Sequence, residues 1–183
     1  MRVVGGSKRG TQLIGFDREE VRPTLDRVKE SMFNIIQFER CDNVLDLFAG
    51  TGQLGIECIS RGAVHAVFCD NAKESLDIVR KNLKKTGFED KAKVLLCDYK
   101  RFLKYEADRE YDVIFVDPPY DAGLYEPVLN TLVSVDNLSD GGIIICEARR
   151  ETELPELPVP YRKGKEYRYG KVKICIYTKE SQL

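Results

Sequence analysis

Histidine and clustered cysteine are almost absent from this chain. There is one histidine, His65, and the six cysteines form no Cys-x-x-Cys pair. Zinc sites draw mainly on these two residue types, so we expect no metal centre. A histidine-dependent nucleophile would have to act through His65, which starts a predicted strand and is interpreted as structural. The cysteines lie in or beside apolar stretches, which predicts buried, reduced thiols. They are Cys41, Cys58, Cys69, Cys97, Cys146 and Cys175.

Long apolar runs are missing as well. The longest run is only a few residues, far below the ~20 residues of a membrane helix. The chain begins with a mixed basic stretch and has no apolar signal core. We therefore expect a cytoplasmic protein without a membrane partner. Its 183 residues, 43% hydrophobic and 32% charged, predict one soluble domain with at most a small appendage.

Excess positive charge is also lacking. The formal net charge is -1, which argues against a strongly basic nucleic-acid binder. The distribution is uneven, however: residues 1–16 contain Arg2, Lys8 and Arg9 and no acid, and residues 161–173 contain several basic residues against one acid. Two basic ends are compatible with a phosphate-binding footprint, although a basic run taken alone is more often a solvated surface.

The hydrophobic pattern divides the chain into an N-terminal extension, residues 1–21, and a main domain, residues 22–183. Residues 1–16 predict a β-hairpin. A helix begins at Pro23, with apolar residues at three- and four-residue steps, and ends before Asp42. Strands then alternate with helices. The predicted strands are 44–48, 64–69, 94–97, 112–116 and 142–146, and the helices are 53–61, 71–87, 99–105 and 124–133.

This alternation predicts an α/β fold. The strands are near-continuous apolar runs, typical of parallel strands that helices bury on both faces. After a proline-rich connector at 154–160, the segments around Gly170 predict a closing antiparallel hairpin at the sheet edge. We therefore expect a central, mostly parallel sheet of seven strands with helices on both faces, plus the small N-terminal β-hairpin.

A glycine loop follows the first predicted strand. The G-x-G-x-x-G at residues 50–55 spells the dinucleotide-binding fingerprint, and Asp70 follows where a ribose-binding carboxylate is expected. The glycines alone fit any nucleotide-like cofactor. Asp46, at the end of the first strand, would repel a pyrophosphate but suits S-adenosylmethionine, which carries a sulfonium and an ammonium group. With Asp98 after the third strand, acids close three successive strands at the ligand-binding edge.

A second motif, Asp117-Pro118-Pro119-Tyr120, directly follows the fourth predicted strand. The prolines fix the backbone and remove two amide donors, so the segment presents a rigid row of acceptors beside an aromatic ring. This suits methyl transfer to an exocyclic amine of a base. Acceptors for both N–H hydrogens turn the lone pair toward the methyl donor and stabilise the developing positive charge, while Tyr120 stacks on the base.

Together the two motifs are similar to those of Rossmann-like, class I S-adenosylmethionine-dependent methyltransferases. With the opening MRVVGGSKRG and the segment RPTLDRVKESMFNII, nearly the whole chain resembles the bacterial 16S ribosomal RNA guanine-N2 methyltransferase family of the RsmD type. The resemblance implies S-adenosylmethionine as cofactor and methyl transfer to N2 of a specific guanine, which must be splayed out for attack. It also implies 16S ribosomal RNA as partner, within the small subunit or an assembly intermediate. We expect a monomer without a metal.

The motifs and the resemblance assign site residues to three groups. The predicted catalytic residues are Asp117, Pro118, Pro119 and Tyr120. The predicted cofactor contacts are Asp46, Phe48, Ala49, Gly50, Thr51, Gly52, Asp70, Asn71, Asp98 and Tyr99. The predicted RNA contacts are Arg2, Lys8, Arg9, Arg22 and Arg27. Thr24 and Arg27 match a family motif and are expected near the cofactor or target. Lys163, Lys165 and Arg168 are further candidates for RNA contact.

Three alternatives stay open at this point. A DNA adenine-N6 methyltransferase uses the same acceptor logic, but such enzymes normally carry a sizeable target-recognition insertion that this chain lacks. An NAD-dependent oxidoreductase fits the glycine loop but leaves Asp46 and the Asp-Pro-Pro-Tyr motif unexplained. A non-catalytic RNA-binding module accounts for the basic ends but not for the acceptors.

Overall fold

The computed structural model of the chain describes residues 1–16, 23–35, 41–107 and 109–180. Its helices are α1 (Pro23–Ile35), α2 (Gln53–Ser60), α3 (Lys73–Thr86), α4 (Tyr99–Arg101) and α5 (Tyr125–Val135). Its strands are β1 (Asn43–Asp46), β2 (His65–Asp70), β3 (Ala92–Leu96), β4 (Tyr111–Val116), β5 (Leu138–Arg149), β6 (Tyr161–Tyr169) and β7 (Val172–Lys179). The short α4 runs directly into a π-helical turn, Phe102–Glu106.

These strands form one sheet in the order β3-β2-β1-β4-β5-β7-β6. β1 to β5 are parallel, and β7 pairs antiparallel with both β5 and β6. The predicted sheet, mostly parallel with a closing antiparallel hairpin, is therefore confirmed. The strand order reverses between β1 and β4, and such a switch point opens a crevice at the carboxyl ends of the two strands.

Helices cover both faces of the sheet, so the core has two layers. Side chains alternate between the faces of a strand: in β1, Val44 joins the core cluster that contains residues of α1, α2 and α3, and Leu45 joins the cluster that contains residues of α4 and α5. β4 is buried along its whole length, which is why it is recognisable as an apolar run. Within the described ranges, no helix has the length and apolarity to cross a bilayer.

The N-terminal segment, residues 1–16, differs from the predicted two-stranded hairpin. It makes one isolated antiparallel bridge, between Arg2 and Gln12, around a 3₁₀ turn at Gly6–Lys8. The glycine-rich stretch between the bridge residues folds back on itself, with the Arg9 amide donating to the Gly6 carbonyl at 3.3 Å. Beside the bridge, the Val3 amide donates to the Thr11 carbonyl at 3.0 Å and the Leu13 amide to the Met1 carbonyl at 3.1 Å, so the two arms pair over a few residues as a minimal form of the predicted hairpin.

This segment packs onto the main domain. Val3 and Leu13 are buried in the same core cluster as residues of α2 and α3. The amide of Val4 donates to the Glu57 carboxylate of α2 at 2.8 Å, so a helix side chain takes the place of a partner strand. The predicted boundary between residues 21 and 22 lies outside the described residues.

β5 is longer than predicted and extends in both directions. The stretch Asp140-Gly141-Gly142 has the composition of a turn, yet it lies inside the strand. The structure accommodates it as a register shift opposite Tyr111 and Val113, and Gly141 takes a φ of +75° there. An irregularity of this kind bends a strand without ending it. At its other end β5 continues past the predicted last residue and includes Glu147.

Candidate active site

A cavity of about 810 Å³ opens at the switch point between β1 and β4. Its volume lies in the range of small-molecule and cofactor sites. The structure brings most of the predicted site residues to its lining. From the predicted cofactor set these are Asp46, Phe48, Ala49, Gly50, Thr51, Asp70 and Asn71, and from the predicted catalytic set Asp117, Pro118, Pro119 and Tyr120.

Hydrogen bonds between acids and backbone amides fix the glycine loop. Asp70 accepts from the amides of Gly50 at 2.9 Å and Ala72 at 2.8 Å. Asp46 accepts from the amide of Gly55 at 3.1 Å. The carboxylates that face the cavity therefore also determine the position of the loop.

Two of the glycines have structural roles. Gly52 is the N-cap of α2 with a φ of 77°, a left-handed conformation that other residues rarely adopt. A Cβ on Gly55 would lie 2.4 Å from the Phe68 ring, so this position permits close contact between α2 and the sheet. Gly52 is absent from the described cavity lining, and its contribution is to start the helix behind the loop.

Asp98 and Tyr99 lie outside the lining that the described residues form. Asp98 caps α4, since its carboxylate accepts from the amides of Lys100 at 2.9 Å and Arg101 at 3.1 Å. Tyr99 is buried with its ring centroid 6.0 Å from that of Phe48. Because Phe48 lines the cavity, Tyr99 supports the wall from behind.

The Asp-Pro-Pro-Tyr motif leaves the carboxyl end of β4. Asp117 and Tyr120 are partly buried, and Tyr120 begins a 3₁₀ turn that keeps its ring at the cavity. Its hydroxyl donates to the Glu147 carboxylate at 3.0 Å. The Arg149 guanidinium lies 5.5 Å from the centroid of the same ring and pairs with Asp121 at 2.9 Å. These contacts hold the ring from two sides.

Glu147 lines the cavity, and the sequence analysis missed it. It continues the rule that acids mark the carboxyl ends of successive strands, so applying that rule to the fifth strand would have found it. The predicted strand ends at Cys146, one residue before Glu147.

The N-terminal segment supplies a further wall that the motifs do not reveal. Met1 and Leu13 line the cavity, and the Thr51 hydroxyl donates to the Met1 sulfur at 3.4 Å. Lys29 of α1, which is buried and also lines the cavity, donates to the backbone carbonyl of Arg2 at 2.6 Å. The glycine loop, α1 and the segment therefore meet at one place.

Three carboxyl groups of the cavity have raised pKa values. Burial, and secondarily the charge of Asp70, raises the pKa of Asp46 to about 7. Burial, then the charges of Glu147 and Asp46, raises the pKa of Asp117. Burial also raises the pKa of Glu147. Among the described residues, none of the three is ion-paired, so the cavity favours a cationic ligand.

The predicted RNA contacts occupy different places. Arg2 and Arg9 are exposed. Arg2 adjoins the cavity wall at Met1. Lys8 lies in the turn at the middle of the segment, where its ammonium is 5.9 Å from the Phe88 ring centroid and its amide donates to the Ser60 hydroxyl at 2.9 Å. Since Ser60 ends α2, Lys8 lies about 12 Å along that helix from the glycine loop. Arg22 and the side chains of Thr24 and Arg27 lie outside the described part of the chain.

The C-terminal basic run forms contacts within its own hairpin. Lys163 donates to the Leu154 carbonyl at 2.6 Å, and the buried Lys173 pairs with Glu166 at 2.9 Å. Lys165 lies 5.7 Å from the Tyr167 ring centroid. These contacts favour a structural role for much of the run.

The remaining reactive groups do not converge on a metal site. In the described part of the chain, no three His, Cys, Asp or Glu side chains are arranged to hold a metal ion. All six cysteines are free thiols, four of them buried, with Cys69 and Cys97 sulfurs 3.7 Å apart.

The sheet order, the glycine loop and the acceptor motif beside it define the class of protein: this is a class I S-adenosylmethionine-dependent methyltransferase. Residues 1–178 match the model of the family described as Conserved hypothetical protein 95. The chain belongs to that family, which is the RsmD type that its motifs indicate.

Relatives and solved structures agree with this assignment. The chain is 38% identical over 182 residues to the putative rRNA methyltransferase YlbH of Bacillus subtilis, covering 98% of this chain and 99% of the relative. It is 34% identical over 186 residues to ribosomal RNA small subunit methyltransferase D of Escherichia coli K12, covering 100% and 91%. The solved structure of the putative methyltransferase yhhF from Escherichia coli matches with a TM-score of 0.84 and 32% identity, covering 100% of this chain and 99% of that one. The predicted fold class and enzyme class are confirmed.

Proposed function

We propose that this enzyme transfers the methyl group of S-adenosylmethionine to the exocyclic N2 amine of a guanine in 16S ribosomal RNA. The observation that carries the proposal is that Asp117 and Tyr120 line the same cavity as the glycine loop. A target amine at Asp117 is therefore within reach of a methyl donor at the loop. The relatives, named an rRNA methyltransferase and a small-subunit rRNA methyltransferase, support ribosomal RNA as the substrate class.

For the cofactor, we assign the loop at residues 48–52 with Asp46, Asp70 and Asn71. Asp70 accepts hydrogen bonds from the ribose hydroxyls. Its carboxylate has lone pairs left for this in addition to those that bind the amides of Gly50 and Ala72. Asp46 provides negative charge toward the sulfonium and ammonium groups. The bound cofactor supplies an electrophilic methyl group. The raised pKa of Asp46, about 7, supports a cationic occupant, because a neighbouring positive charge favours the ionised carboxylate. For Asp98 and Tyr99, direct contact with the cofactor stays a prediction. In the structure Asp98 caps α4, and Tyr99 packs behind Phe48 of the cavity wall.

For the target amine, we assign Asp117, the motif carbonyls and the Tyr120 ring. Hydrogen bonds from both N–H groups to Asp117 and to a motif carbonyl withdraw the nitrogen lone pair from the base ring. As the N–C bond forms and the S–C bond breaks, Asp117 stabilises the positive charge on nitrogen. Burial raises the pKa of Asp117, which suits it to take the proton that the methylated amine releases.

For RNA, we assign the exposed cations nearest the cavity first. Arg2 adjoins the cavity wall, and Arg149 lies at the Tyr120 ring; both are exposed. Lys8 and Arg9, farther along the extension, then contact phosphates away from the target. In this assignment the extension 1–21 binds RNA, and the domain 22–183 carries out methyl transfer. Arg22 and Arg27 stay predictions. We further propose that the enzyme acts as a monomer on the small subunit or on an assembly intermediate. Because ribosomal RNA is its substrate, the reaction then takes place in the cytoplasm.

The test is transfer of labelled methyl from S-adenosylmethionine to three substrates: naked 16S RNA, assembled small subunits and double-stranded DNA. Nucleosides from each digest are identified by mass spectrometry. We expect N2-methylguanosine in at least one RNA sample and no label in DNA. N6-methyladenine in DNA, or binding of NADH in place of S-adenosylmethionine in a thermal-shift assay, would overturn the proposal.

A further inference from the structure

Among the described residues, Glu147 is the one carboxylate of the cavity to which the motifs assign no role. Val116, the last residue of β4, pairs with Cys146 of β5 in parallel register, so Asp117 directly after β4 lies beside Glu147 of β5. Such strands lie about 4.8 Å apart, and residues in register have side chains on the same face. Both residues line the cavity. Two acidic side chains therefore stand next to each other where the target base is expected.

We propose that Glu147 accepts the N1–H of the target guanine and thereby sets the preference for guanine over adenine. The inference rests on the proposed function. The Watson–Crick edge of guanine carries the N1–H donor directly beside the N2 amine, so two neighbouring carboxylates match it. Adenine has an unprotonated N1 beside its amine, and the lone pair of that nitrogen would face a carboxylate without a hydrogen between them.

The surroundings hold Glu147 in place for this contact. The Tyr120 hydroxyl donates to its Oε1 at 3.0 Å, and the Tyr125 hydroxyl donates to its backbone carbonyl at 2.7 Å. The second carboxylate oxygen has no protein donor in the described part of the chain, and N1–H would supply one. In the proposed function Tyr120 also stacks on the target base. Tyr120 therefore links the position of the guanine ring to the position of the Glu147 carboxylate that accepts from N1.

The experiment compares two 16S RNAs, each offered free and assembled into the small subunit, that differ only at the target nucleotide, guanosine or 2-aminopurine riboside. Both carry a 2-amino group, but 2-aminopurine has no hydrogen on N1. We expect wild-type kcat/KM to favour guanosine by about 100-fold, the scale of a hydrogen bond to a charged group. In Glu147→Gln the preference should fall to about threefold or less, because the amide can turn either its oxygen or its N–H toward N1.

Two comparisons separate recognition from a structural role. Tyr120→Phe removes the hydroxyl that orients Glu147 but keeps the carboxylate; turnover should fall while a preference of at least about 30-fold remains. If Glu147→Gln lowers kcat/KM for both RNAs by the same factor, Glu147 is structural and the inference is wrong. A wild-type preference near one overturns it without any variant. Wild-type enzyme that methylates neither RNA refutes the proposed function itself, so the two failures are distinct.

Discussion

Acidic side chains have opposite surroundings in two regions of the molecule. In the β6–β7 hairpin, Glu166 pairs with the buried Lys173 at 2.9 Å, and this bond lowers the pKa of Glu166. At the cavity, Asp46, Asp117 and Glu147 have raised pKa values and no cationic partner among the described residues. The hairpin neutralises its buried charge, and the cavity does not.

This difference has opposite effects on stability. A carboxyl group with a lowered pKa in the folded state stabilises the protein at neutral pH, whereas one with a raised pKa destabilises it there. The hairpin acid therefore contributes to the fold. The cavity acids reduce the stability of the ligand-free protein, and the cationic cofactor offsets this when it binds. The four predictions that follow test this contrast, from the largest expected effect to the smallest.

Replacing Asp117 should affect methyl transfer far more than cofactor binding. We expect Asp117→Ala to reduce methyl transfer by about 10³-fold, because the acceptor for the reacting amine is lost, while the cofactor dissociation constant changes by less than about threefold. Labelled-methyl transfer and equilibrium dialysis measure the two quantities. The exposed acid Asp140 provides the control, Asp140→Ala, with turnover near wild type. Undiminished turnover in Asp117→Ala would contradict the assigned role.

Replacing Asp46 should separate stability from binding. We expect Asp46→Asn to weaken cofactor binding by about 10- to 100-fold, the scale of a charge-assisted hydrogen bond. The same change should stabilise the ligand-free protein by about 2 kcal/mol at pH 8, because the buried charge is gone and Asn can still accept from the Gly55 amide. Titration calorimetry and urea unfolding test both, with exposed Asp90→Asn as control. A variant that loses stability and affinity together would refute the contrast.

The hairpin should show the reverse behaviour. Lys173→Met removes the 2.9 Å partner of Glu166 and leaves only its longer contact with Lys163 at 3.8 Å, so we expect a loss of about 1–2 kcal/mol in the free energy of unfolding. Cofactor affinity should be unchanged, since the pair lies outside the described cavity lining. Adding Glu166→Gln should recover part of the lost stability, because the uncompensated charge is then removed. Weaker cofactor binding in Lys173→Met would mean that the two regions are coupled.

Much of the site could be predicted because carboxyl ends of parallel strands meet at one edge. From that rule alone, Asp46, Asp70 and Asp117 are expected to lie together, and buried apolar runs such as β4 predict the strands themselves. The roles of Asp98 and Glu147 could not be predicted in this way, because they depend on local contacts and on where a strand ends. Asp98 follows the same rule, but a helix begins directly after it, and its carboxylate caps that helix. Glu147 lies inside a strand that continues beyond its apolar run.

The N-terminal segment shows a different limit. Its pattern of short apolar stretches around a glycine-rich turn predicts a hairpin, because strand pairing is the usual way to satisfy its backbone amides. Here side chains of helices accept some of those bonds, for example Asn82 from the Ile14 amide at 2.7 Å. Partners that are distant in sequence cannot be identified from local periodicity. The wall that Met1 and Leu13 form in the cavity is for the same reason visible only in the fold.

The pH dependence of cofactor binding is the smallest effect and tests the contrast without a mutation. Asp46 has a pKa of about 7 in the ligand-free protein, raised from 3.8, so it binds a proton below that value. A cationic cofactor requires the ionised form. Affinity should therefore fall by up to about tenfold per pH unit below 7 and level off above it. The contribution of Asp46 to the stability of the ligand-free protein has the opposite trend: it falls as the pH rises from 3.8 to about 7 and is constant above that. Calorimetry in two buffers of different ionisation enthalpy should detect proton release on binding near pH 7.

In Asp46→Asn the step near pH 7 should disappear, because the titrating group is gone. Affinity that stays constant in the wild type between pH 6 and pH 8 would mean that the cofactor does not depend on the ionised carboxylate of Asp46.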